Sequence, residues 1–174
     1  MMSLTAIFKN RTQNSLNKTC LQTAFDGNFK QALDLVAQGA DINSAGKAKA
    51  YGMMSSWKVE TSLGHAAIKH SNFKALVAFL DKGLKSNIEA GGKPLLMYAI
   101  EQRQEDAALL LLDRGAGTDY VRNDLETPLS LAEKNGMHTT VQRIKALPQE
   151  APAVDVIAAA VVRAMKPLTL KIPQ

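Results

Sequence analysis

The chain has 174 residues, a formal net charge of +5, 46% hydrophobic residues and only 5% aromatic ones, which suits one elongated domain with a packed Leu- and Ala-rich core. Its single cysteine, Cys20, excludes an intrachain disulfide. No stretch reaches the roughly 18 apolar residues of a membrane span, and the start carries no basic leader before a long apolar run, so a cleaved signal is not expected and a cytoplasmic location is.

Residues 1–14 form a basic N-terminal segment: Lys9, Arg11 and then Lys18 precede the first acid, Asp26. From about residue 15 a pattern begins that recurs three times more. Its first copy keeps Ala24, Gly27-Asn28, Ala32, Leu35, Val36 and the closing phrase Gly39-Ala40-Asp41-Ile42-Asn43. An insertion over 44–59 follows, about eleven residues beyond the spacing of the later units. It reads as a loop holding Tyr51, Met53, Met54 and the lone Trp57, with Lys47, Lys49 and Lys58 and no acid between Asp41 and Glu60. Tyr, Trp and Met are enriched at interface centres, so these seven residues are candidate partner contacts. The alternative is that Trp57 folds back as a lid over the first unit.

The second copy runs Ser62-Leu63-Gly64-His65-Ala66-Ala67-Ile68, then Ser71-Asn72, Leu76, Phe79-Leu80 and Gly83-Leu84-Lys85-Ser86-Asn87. The third runs Gly92-Lys93-Pro94-Leu95-Leu96-Met97-Tyr98-Ala99, then Ala108, Leu111-Leu112 and Gly115-Ala116-Gly117-Thr118-Asp119. The fourth runs Thr127-Pro128-Leu129-Ser130-Leu131-Ala132, Asn135-Gly136, Val141 and Ile144. Thr127 can cap a helix, and Pro128 in a first turn loses no needed donor. Gly39, Gly83 and Gly115 are placed to end helices in a left-handed turn. After a break at Pro148–Pro152, Ala153–Met165 is apolar on most faces and reads as a C-terminal helix, with a tail to residue 174. That helix is expected to cap the last unit, with self-association through 153–165 or partner contact as alternatives.

Units of about 33 residues opening on Thr-Pro-Leu-like residues resemble the ankyrin-repeat family, and the resemblance covers residues 15–147. It implies an all-α solenoid of about four helix-turn-helix units with hairpin fingers, plus the C-terminal helix, and a protein-binding scaffold or adaptor as function. In that family the first helices and fingers line a concave face. Carried over by position, the contact candidates are Lys69, His70, Tyr98, Glu101, Gln102, Tyr120, Arg122 and Asn123, with Gln22, Phe25, Asp26, Ala66, Leu131, Lys134 and Asn135 also expected on exposed first-helix positions. His65 stands at the family's motif histidine, where it braces neighbouring turns. Ser62, Gly64 and Met97 depart from the usual Thr, Leu and His.

Catalytic signals are weak. His65, His70, His138 and Cys20 give no metal-ligand spacing, and no phosphate loop or nucleophile elbow is present. No enzyme, metal or cofactor is expected. The partner is expected to be a protein. The alternatives are an adaptor delivered by a microbe into a host cell, and nucleic-acid or anionic-membrane binding through the basic appendages.

Overall fold

The computed structural model describes residues 4–51, 55–122 and 125–147, with side chains from residue 11 onward. The expected C-terminal helix and its self-association surface, and the candidates Met53, Met54 and Asn123, lie outside the described residues. In chain order the elements are α1 (Leu4–Phe25), α2 (Phe29–Ala37), β1 (Ala45–Tyr51), β2 (Ser56–Ser62), α3 (Leu63–Lys69), α4 (Phe73–Asp81), β3 (Glu89–Ala90), β4 (Lys93–Pro94), α5 (Leu95–Glu101), α6 (Glu105–Asp113), α7 (Pro128–Lys134) and α8 (His138–Ala146). The basic N-terminal segment and the start of the first unit share one helix, α1.

The all-α expectation is corrected: two antiparallel hairpins make the fold mixed α and β. The larger one occupies the insertion that reads as a loop. Its register pairs Ala45 with Ser62 at the base and Tyr51 with Ser56 at the far end. The physical reason is alternation. Lys47, Lys49 and Tyr51 point to one face, and Gly46, Ala48 and Ala50 to the other. Across from them Trp57, Val59 and Thr61 alternate with Ser56, Lys58 and Glu60. Counting residue types in this segment misses the two-residue period that makes it a strand pair. The small inward face is what allows close docking: a Cβ on Gly46 would stand 3.3 Å from Leu21 Cδ1, and Ala48 is buried. The β3–β4 hairpin pairs Glu89 with Pro94 and Ala90 with Lys93.

The helices form pairs, α1/α2, α3/α4, α5/α6 and α7/α8, and each pair packs on the next through first helix against first helix and, from the second pair on, second helix against second helix. One core runs through the stack. Phe79, Leu63, Leu95, Ile100 and Leu111 are each wholly buried within it, with Ala24, Ala99, Ala108 and Ala132 where helices approach most closely. Gly64 sits at such an approach: an added Cβ would lie 2.7 Å from Leu95 Cδ2 and 3.0 Å from Leu84 Cδ2.

The backbone repeats as faithfully as the sequence. Gly27, Ser71, Arg103 and Gly136 all take positive φ at the turn inside a pair. Each of the first three second helices ends on a positive-φ glycine, with two bonds returning to the last turn. Gly39 N–H donates to Val36 and Ala40 N–H to Leu35, and the same pattern recurs at Gly83–Leu84 and Gly115–Ala116. Thr127 caps α7 in a reciprocal box with Ser130, and Pro128 lies in its first turn.

Side-chain amides then stitch one unit to the next. Asn43 Oδ1 accepts Lys85 N–H at 2.7 Å, and Asn87 Oδ1 accepts Gly117 N–H at 2.6 Å. Gln104 Nε2 donates to Ile68 O, and Asn135 Nδ2 to Ile100 O, each satisfying a carbonyl at the end of a first helix. The terminal Asn of the recurring phrase is therefore an inter-unit acceptor.

Phe79→Ala and Leu111→Ala, which empty fully buried sites, are expected to cost about 2–5 kcal/mol in denaturant titration. Asn87→Ala, which orphans one backbone N–H, is expected to cost about 1 kcal/mol. Gly64→Leu, the change toward the usual residue of the repeat pattern, is expected to cost about 1–3 kcal/mol by overpacking against Leu84 and Leu95. A neutral or stabilising outcome for Gly64→Leu would refute that packing account.

Candidate partner-binding cleft

A cleft of about 770 Å³ lies between the inner face of the β1–β2 hairpin, the C-terminal end of α1, the first helices α3 and α5, and the β3–β4 hairpin. Its lining includes Phe25, Trp57, Val59, His65, Lys69 and Tyr98, with Asp26, Glu60 and Lys93 bringing charge of both signs.

The wall is fixed by His65. Burial drives its imidazole down to about pKa 4, an effect the Lys93 carbonyl opposes and the Lys93 charge assists, so the ring is neutral at pH 7. Nε2 lies 3.1 Å from the Lys93 carbonyl, which can only accept, so the proton sits on Nε2. Nδ1 then accepts from the Ser62 hydroxyl at 2.8 Å, while Ser62 Oγ accepts the His65 N–H as the N-cap of α3. One side chain thus joins the β2–α3 junction to the β4–α5 junction. Tyr98 packs against the same ring, its centroid 5.1 Å away. Burial first, and Glu101 second, raise the Tyr98 phenol, which keeps it neutral.

At the other end of the cleft Lys69 holds its ammonium 3.4 Å over the Phe25 ring and donates to the Phe25 carbonyl at 3.3 Å. His70 Nε2–H donates to that same carbonyl at 2.8 Å, and its ring meets Phe29 edge-on. Desolvation lowers the Lys69 ammonium and Asp26 works against that.

The structure divides the described sequence-based candidates into four groups. Tyr51, Trp57, Lys49, Lys69, His70 and Tyr98 come together on the cleft. Glu101, Tyr120 and Arg122 brace the next finger instead. Glu101 bonds Lys93 at 2.7 Å and Arg122 at 2.7 Å, Arg122 bonds Glu126 at 2.7 Å, and the Tyr120 hydroxyl donates to Gly92 O. Gln102 is exposed at the end of α5. Lys47 and Lys58 lie on the outer face of the hairpin with Lys49, along a second groove shared with Lys18, Thr19 and Gln22 of α1, and Lys47 approaches Glu60 at 3.7 Å.

Phe25, Ala66 and Leu131, expected on exposed first-helix positions, are buried. Ala66 and Leu131 belong to the continuous core of the stack, and Phe25 is covered by the Lys69 side chain. Glu60 and Lys93 were absent from the sequence-based set. Lys93 precedes the Pro94 opening of its unit, and Glu60 belongs to the alternation of β2; both signals are readable only once the hairpins are recognised.

Cys20 is fully buried, its thiol pushed up to about 11 by burial and within 3.4 Å of the Ala32 carbonyl. That disfavours the thiolate a nucleophile needs. Among the described residues no group of three or more His, Cys, Asp or Glu is placed to hold a metal, and no helix is long and apolar enough to cross a membrane. Comparison with known protein families and with curated proteins finds no match.

The His65 geometry sets a pH dependence. The unfolded chain titrates near about 6.5 and the folded ring near about 4, so between these values only the unfolded chain takes up the proton. The stability is complete above about pH 6.5 and is lost as pH falls through about 4, amounting to roughly 3 kcal/mol at most. Denaturant titrations of wild type and His65→Ala are expected to differ most at pH 7 and to converge toward pH 4. A difference that stays constant with pH would contradict a buried neutral imidazole.

Proposed function

We propose that this chain is a non-catalytic protein-interaction module of ankyrin-repeat type, which receives a partner protein in the cleft between the β1–β2 hairpin and the first helices. The observation that carries the reading is the exposed aromatic surface of one hairpin, more open than Phe73 of α4 at 44%. Trp57 is 52% and Tyr51 71% exposed, both on the hairpin that walls the cleft, while the core buries its large side chains almost completely. Trp and Tyr supply much contact area for little conformational entropy and dominate binding when a partner covers them. Exposure at this level favours an anchor over a lid across the first unit.

The repeat-type reading draws support from the regularity of the units: the same left-handed turn, the same glycine-terminated second helix and the same Asn acceptor recur along the stack. A reducing, cytoplasmic setting suits the buried Cys20 thiol.

The test is an affinity measurement with a partner isolated on the intact chain and then purified. Trp57→Ala is expected to weaken binding by about 2 kcal/mol or more without shifting the melting curve. Tyr51→Ala is expected to act in the same direction. Full affinity in both variants would place the interface away from this cleft.

A further inference from the structure

The hairpin carries an unfinished sheet edge. In an antiparallel pair, residues alternate between those bonding across the ladder and those whose N–H and C=O point away from it. The side chain of Gln22 identifies which are which. Its Oε1 accepts the Lys49 N–H at 2.7 Å and its Nε2 donates to the Lys49 C=O at 3.0 Å. Lys49 therefore faces outward, and so does Lys58 opposite it; by the two-residue period Ser56 and Glu60 face outward as well. On β1 the edge is closed at Lys49, because Gln22 makes both bonds that a neighbouring strand would make. On β2 nothing among the described residues hydrogen-bonds the outward N–H or C=O of Ser56, Lys58 or Glu60. The β3–β4 hairpin has two residues per strand and comes against β2 at Glu60, where a Cβ on Gly91 would stand 3.5 Å from Glu60 Cβ. Ser56 to Lys58 project beyond it and are exposed.

We infer that the outer edge of β2 is a strand-addition site, where an extended segment of the partner pairs with Ser56–Val59 and extends the sheet. The inference rests on the cleft reading above and specifies the form of its ligand. Main-chain pairing supplies binding that any sequence can use, and alternate side chains supply selectivity. The two faces of β2 dictate that alternation. Residues of the added strand beside Trp57 and Val59 face the cleft, which is apolar there, and call for aliphatic or aromatic side chains. The residue between them lies beside Lys58, whose cross-strand neighbour is Lys49. Two like charges directly opposite one another are unfavourable, and Lys18 lines the same groove, so an acidic side chain is the complement. The ligand is an extended peptide reading apolar–acidic–apolar.

The probe is a labelled, terminally blocked heptapeptide, Ser-Thr-Val-Glu-Phe-Thr-Ser, titrated against the intact chain by fluorescence polarisation, with amide exchange followed by NMR. Saturable binding is expected, with exchange at Ser56 and Lys58 slowed by about tenfold or more. Lys in place of the peptide's Glu is expected to weaken binding by about tenfold. Methylating the peptide amides that would donate to β2 is expected to abolish it. Lys58→Pro removes the outward N–H while leaving the β1–β2 ladder intact, which an edge strand tolerates. It is expected to lose binding well beyond Lys58→Gln, which removes only the charge. Absence of binding, or binding with unchanged exchange at Ser56 and Lys58 and no effect of methylation, would overturn strand addition. The two readings separate with the isolated partner: loss of affinity in Trp57→Ala, with Lys58→Pro matching Lys58→Gln, would keep the cleft and remove the strand. Indifference to all three would remove both.

Discussion

One buried imidazole sets the geometry on which the candidate cleft depends. His65 accepts from Ser62 and donates to Lys93 O, two residues that stand at the starts of successive units. Because both nitrogens are committed, the ring has one tautomer and one orientation, and the hairpin leaving Ser62 is fixed relative to the next finger. Tyr98 packs at a tilt against that ring and inherits its position. Protonation would put a charge into a desolvated site beside the Lys93 charge, so the ring stays neutral.

Around that bridge the molecule is a series of small packing problems solved the same way each time. A pair of helices two turns long cannot cover its own apolar face, so its free energy comes from the neighbouring pair. Lateral packing then creates a polar problem, since helix ends and finger backbones are drawn into the interface. The amides of Asn43, Asn87, Gln104 and Asn135 answer it by bonding backbone groups of the adjacent unit. The chain of ion pairs from Lys93 through Glu101, Arg122 and Glu126 to Lys134 runs across two fingers. Its members are partly exposed, so its energetic weight is modest, and its effect is to hold the fingers in register.

The β1–β2 hairpin departs from this economy. It is longer than the β3–β4 hairpin, carries exposed aromatic side chains, and sets two lysines opposite each other. Each of these features is unfavourable for an isolated chain, and all three sit on one element beside one cleft. A partner that covers Trp57 and Tyr51, sets an acidic side chain beside Lys58, and pairs with the edge of β2 would relieve them together.

The units, their turns and much of their core are legible in the residues alone. Gly39, Gly83 and Gly115 mark helix ends because a left-handed residue is required there, and Phe79, Leu111 and Ala132 are core by periodicity alone. These are local requirements, legible from a few neighbours. His65 was also legible as a brace from its place in the motif, although its acceptor, Lys93 O, was not. Tertiary structure alone decided that residues 45–62 form a hairpin. Alternating small and charged residues gain from strand pairing only when one face has something to pack on, and that surface is Leu21 of α1. It also decided that Glu101 and Arg122 turn to each other while Lys69 and Tyr98 turn to the cleft. Position on a helix gives exposure to a face, but the occupants of that face come from units some 20 to 40 residues away, brought there by the stacking of whole repeats.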